Sequence, residues 1–96
     1  MAKVSERAIE AYCASETIRR GGRSFKWSSP AQKGVPDRLV MLPGGRVGFL
    51  ELKAPGKRPT TLQQHFIDVL LSLGFVAGYA DTKDAVNQFL DRLQHA

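Results

Sequence analysis

A single cysteine, Cys13, stands in the 96-residue chain, which excludes an internal disulfide and makes a reducing compartment the expected home. Histidine is nearly as scarce: His65 and His95, with one thiol, are too few to build a zinc site. No apolar run approaches the roughly 18–20 residues needed to cross a bilayer. The first residues, MAKVSERAIEAYCASE, lack the apolar block of a signal peptide and read as an amphipathic helix. Repeats, low-complexity segments and internal linkers are missing too, so residues 1–96 are expected to form one domain around one core. These absences predict a cytoplasmic protein with no membrane partner.

Acid is also short in the first two thirds. Residues 1–60 hold 12 Lys and Arg against 5 Asp and Glu, a net +7, whereas residues 61–96 hold 2 against 4, a net −2, which together give the overall +5. A basic portion of this kind is the footprint of a phosphate backbone, or simply the charge that keeps a small chain dissolved.

What is present reads as alternating elements. Val4, Ala8, Ala11, Tyr12 and Ser15 recur at helical spacing over residues 3–19, with Ile9 and Cys13 alongside, and Gly21 or Gly22 ends that helix. RSFKWS (23–28) alternates, with Phe25 and Trp27 on one face, expected in the core, and Lys26 on the other. SPAQKGVP (29–36) is a loop by its Pro, Gly and Ser. DRLVML and RVGFLEL are strands joined by Pro43-Gly44-Gly45, and KAPGKRPTT (53–61) is a second loop whose Thr60 or Thr61 caps a helix over 62–73. FVAGYA (75–80) reads as a buried strand, and Asp81 or Thr82 caps a last helix carrying Ala85, Val86, Phe89, Leu90 and Leu93. The order α-β-β-β-α-β-α implies an α/β fold, a hairpin-bearing mixed sheet flanked by helices.

The hairpin carries charge where strands avoid it. Closing the three-residue loop with Leu42 opposite Arg46 puts Asp37 directly opposite Glu51, with Cβ atoms about 4.5–5.5 Å apart, and Lys53 on the same face. A two-residue Gly44-Gly45 loop would instead split the acids between faces. As a structural pair, two such carboxylates repel. A divalent cation removes the objection, since Mg²⁺ takes one or two protein carboxylates and leaves its other positions to water and phosphate. The Leu52 carbonyl is a plausible further oxygen ligand, and Lys53 could orient a water or steady charge developing on a phosphate.

Pro36-Asp37, thirteen residues, then Glu51-Leu52-Lys53 resembles the PD-(D/E)XK nuclease superfamily, and GVPDRLVMLPGGRVGFLELKAPGKRPTTLQQHFIDVLLSLGF resembles its virus-type replication-repair nuclease (VRR-NUC) domain. The likeness runs over roughly residues 5–93, with 34–56 its specific part. It implies a restriction-endonuclease-like core, Asp37 and Glu51 as metal-binding acids, Lys53 as the catalytic lysine, Glu10 as the first-helix acid (with Glu6 a competitor) and Gln63 as the glutamine of the following helix (with Gln64 the substitute if that helix begins differently). It further implies a Mg²⁺- or Mn²⁺-dependent endodeoxyribonuclease without an organic cofactor. Stand-alone phage members look like enzymes that cut branched DNA such as four-way (Holliday) junctions, and a homodimer, with two sites related by a two-fold axis, would suit such a substrate.

Lys33 in the loop entering Asp37, Lys57 and Arg58 in the loop leaving Lys53, and Lys26 are the candidate phosphate contacts. The competing expectations are a DNA-binding module that keeps the fold without cutting, a flap or single-strand nuclease needing a partner, and a scaffold whose hairpin acids are incidental.

Overall fold

The computed structural model describes residues 4–96. Lys3, where the sequence pattern begins the first helix, lies outside the described residues. Helix α1 (Glu6–Arg19) starts at Ser5, whose hydroxyl accepts the Ala8 amide, and gives way to Gly21 at φ +88°. Strands β1 (Arg23–Lys26), β2 (Arg38–Leu42) and β3 (Arg46–Leu52) follow, then α2 (Thr61–Ser72), β4 (Val76–Ala80) and α3 (Lys83–Gln94). The α-β-β-β-α-β-α order is the one that the periodicity and turn residues require.

The strands lie in the order β1-β2-β3-β4, with the first two pairings antiparallel and β3–β4 parallel. In the hairpin, Leu42 pairs with Arg46 and Arg38 with Leu50. That register continues to Asp37 opposite Glu51, as the three-residue turn demands.

Period-two alternation then sorts the side chains. Gly48, Leu50 and Leu52 of β3 face α1 and α3, where Ile9, Cys13, Val40, Val86, Phe89, Leu90 and Leu93 close the main core. Gly48 is required by close approach, because a Cβ there would sit 2.8 Å from Phe89 Cζ. The opposite face receives α2. Ile67 and Ala77 are buried there, and Trp27, Phe49 and Phe75 form a chain of rings with centroids 5.1 and 5.3 Å apart.

Two local expectations are overturned. The buried stripe of α1 is Ile9, Cys13, Glu16 and Thr17, rotated from the Val4–Ala8–Ala11–Tyr12–Ser15 row. An acid enters that stripe because Arg19 and Arg20 both grip the Glu16 carboxylate, holding its pKa down at about 2, while Arg20 also bridges to Asp91 of α3. Phe25, expected in the core, is 49% exposed, because β1 is an edge strand beyond the reach of α2. Leu39 and Met41 beside it are half-buried and Val47 is exposed, leaving an apolar strip on that face. Cys13 is wholly buried, and burial pushes its thiol pKa up, the condition of an inert packing residue. No helix among the described residues is long and apolar enough to cross a membrane.

Candidate active site

Where β2 begins, side chains replace the backbone ladder. The Asp37 amide donates to Glu51 Oε1 at 3.2 Å, and the Leu52 amide donates to Asp37 Oδ1 at 3.1 Å, so each acid takes a backbone N–H from the other's strand. This exchange fixes both carboxylates at the open end of the hairpin. The Trp27 amide, donating to the Asp37 carbonyl at 2.8 Å, ties the same point to β1. Leu52's N–H points toward β2, and in an extended strand its carbonyl points the same way, toward Asp37. Lys53 Nζ stands 3.5 Å from Glu51 Oε2, with its own amide anchored on the Ala80 carbonyl.

Gln63 joins from α2. Its side-chain oxygen accepts the Thr60 amide at 2.9 Å while Thr60 Oγ1 accepts the Gln63 amide, a reciprocal box that starts the helix. Its Nε2 donates to Glu51 Oε2 at 3.3 Å. One side chain thus ties the helix start to the site.

Both acids titrate above the usual carboxylate range. Burial raises the pKa of Asp37, opposed by the Leu52 amide and Arg38 and reinforced by Glu10 and Glu6. Burial raises Glu51 as well, and the Asp37 charge adds to it against the pull of Lys53. Glu10 stands on Arg38, with Oε2 2.8 Å from Nη2, rather than beside the other two acids. Among the described residues no three of His, Cys, Asp and Glu converge as a ready-made metal cluster. Two carboxylates and a carbonyl directed to one edge still fit a hard divalent ion, which takes oxygen ligands and keeps several waters.

No protein-family model matches the chain. A protein of Acyrthosiphon pisum secondary endosymbiont phage 1 named "Putative nuclease p44" is 42% identical over 84 residues, covering 88% of this chain and 90% of that protein. A solved structure titled "VRR_NUC domain" superposes with a TM-score of 0.81 at 24% identity, over 94% of this chain and 97% of the other. The chain belongs to the same family as this phage protein, and its fold is that of the VRR-NUC domain.

Around the two acids the candidate cations fall into two groups. Lys33 lies in the loop leading to Asp37, and that loop is held against α2, since a Cβ at Gly34 would come within 2.6 Å of Leu62 Cγ. Lys57 and Arg58 follow Lys53 in the loop that opens α2, and both are exposed. Lys26 instead pairs across the sheet with Arg38, opposite Leu50, and so projects from the face that carries α1 rather than the face of Glu51. Tyr79 had no local signal: FVAGYA reads as a buried strand, yet the parallel register sets Tyr79 beside Glu51 on the site's face.

The raised acids have a stability consequence. A carboxyl with a raised folded pKa favours the protonated fold, so its favourable contribution is intact below the unfolded value, about 3.9 for Asp, and is lost as pH rises through the folded one. Asp37→Asn, unable to ionise, is therefore expected to melt above wild type at pH 7 in EDTA, with the gap closing toward pH 4. Thermal melts of both proteins across that range check it.

Proposed function

We propose that this VRR-NUC protein is a divalent-metal-dependent endodeoxyribonuclease that acts on branched DNA, four-way junctions among them, as a homodimer. The observation that carries the reading is the trio Asp37, Glu51 and Lys53 on one face at the open end of a hairpin. Asp37, Glu51 and the Leu52 carbonyl would hold Mg²⁺ or Mn²⁺, which when bound supplies a Lewis acid for the phosphate oxygen and a more acidic water.

The chain's own groups do the rest. Lys53, held beside Glu51, presents an ammonium to the phosphate where negative charge grows during hydrolysis. Gln63 braces Glu51 so that its carboxylate keeps its aim, while Glu10 and Glu6 deepen the negative potential at Asp37. Lys33, Lys57 and Arg58 flank the site and would grip phosphates on either side of the cut. Lys26 would meet DNA only where the strand wraps past the β1 edge. The apolar strip of Phe25, Leu39, Met41 and Val47 supports the homodimer, since soluble chains rarely leave such a strip open. Two sites related by a two-fold axis suit a substrate of like symmetry.

The test is cleavage of labelled four-way junction, flap, plain duplex and single-stranded DNA in Mg²⁺, Mn²⁺ or EDTA, with the protein's mass in solution measured alongside. The expected outcome is cutting that stops in EDTA, favours the junction and comes from a dimer. Salt-sensitive binding without cutting in any metal would make the chain a binding module instead.

A further inference from the structure

A concavity of about 480 Å³, within the range of ligand pockets, opens beside the acids on the β4 side of α2. Arg58, Thr60, Gln64, His65, Asp68 and Tyr79 line it. Its walls adjoin the site. Tyr79 is the parallel-register partner of Glu51, one strand spacing away (about 4.8 Å). Gln64 follows Gln63 on the helix that holds Glu51, and Arg58 lies in the loop that leaves Lys53.

The chemistry of the lining is not that of a phosphate cradle, because Asp68 is part of it. Gln64 Nε2 donates to Asp68 Oδ1 at 2.9 Å, so the two side chains are held as one unit. That unit still offers an amide N–H and a carboxylate oxygen side by side, a donor next to an acceptor. Adenine, cytosine, guanine and thymine each carry an acceptor next to a donor on the Watson–Crick edge. That edge is free only when the nucleotide is unpaired. Tyr79 and His65 supply aromatic surfaces for the base, and Arg58 a cation for the attached phosphate.

We propose that this pocket takes one unpaired nucleotide, of any base, next to the phosphate to be cut at the site of Asp37, Glu51 and Lys53. The site then selects DNA by local unpairing rather than by sequence, as at a branch point or the base of a flap. The proposal rests on the nuclease reading above and adds to it the feature of the substrate that is recognised.

Three DNAs decide it: a duplex, the same duplex with one extra unpaired nucleotide beside the cut, and that DNA with an abasic tetrahydrofuran residue in place of the unpaired nucleotide. Wild type is expected to cut the second about tenfold faster than the first, the order of one lost base stack. The abasic residue should bring that ratio close to one, and so should the Gln64→Ala/Asp68→Ala double variant. A ratio that survives both changes, or that never exceeds one, overturns the pocket.

A second arm does not depend on cutting. In EDTA, 2-aminopurine at the unpaired position should be quenched when wild type binds and not when the double variant binds. Equal quenching by both, no quenching by bound wild type, or no binding of the DNA by wild type overturns the pocket. The abasic substrate keeps the test independent of whether the variant folds. Should no DNA be cut in Mg²⁺ or Mn²⁺, the nuclease reading fails while the fluorescence arm still decides the pocket.

Discussion

Replacing Lys53 with alanine is expected to lower the rate of metal-dependent cleavage on the order of 10²–10³-fold, the loss typical of removing one donor from developing charge. The side chain is 17% exposed and its ionic neighbour among the described residues is Glu51, so the fold tolerates its removal. DNA affinity should change little, because Lys33, Lys57 and Arg58 remain. The defect therefore appears in kcat rather than KM, which single-turnover cleavage at saturating protein separates from binding. Lys53→Arg should not restore the rate, since a planar guanidinium fork cannot occupy the space of a compact ammonium held 3.5 Å from a carboxylate. A variant that binds DNA normally and cuts at the wild-type rate would remove Lys53 from the chemistry.

The largest stability effect should come from the other side of the sheet. Phe89 is 1% exposed and its ring fills the space that Gly48 leaves over β3, packed with Leu50, Leu90 and Leu93. No backbone can collapse into that space, because the strand beneath is fixed by pairing on both edges. Phe89→Ala is therefore expected to cost about 3–5 kcal/mol, at the upper end for core truncations. For a domain of this size that is a fall in Tm of more than about 12 °C, read by circular dichroism. Leu73→Ala, 67% exposed at the end of α2, should shift Tm by only about a tenth of that amount. If the two variants melted alike, the core would not be where the packing puts it.

How much of this was legible depended on the range of the interaction concerned. The hairpin and its register could be read because Pro43-Gly44-Gly45 is a local turn signal that sets the pairing of every residue behind it. Asp37 opposite Glu51 followed from that register alone. The rotated stripe of α1 could not be read, since the position of Glu16 depends on Arg20 reaching Asp91, 71 residues away. Alternation assigned Phe25 to the correct face but could not tell that α2 stops short of β1. The Glu10–Arg38 pair spans 28 residues, and Tyr79 reaches the site through a parallel pairing, which leaves no mark in either strand's own pattern.

Gln63 sets a limit on how this sequence can drift. Glutamate is a common residue at the third position of such a helix start, and its carboxylate would take the Thr60 amide equally well. Facing Glu51 it would add a third negative charge and lose the donor that Nε2 provides. Leucine or alanine would release both ends at once. Only a side chain with an acceptor and a donor on one planar head, at the length of glutamine, closes the helix and braces the acid together. Position 63 is thus answerable to two masters, and a substitution that would pass unnoticed at an ordinary helix start would be felt here at the Glu51 carboxylate.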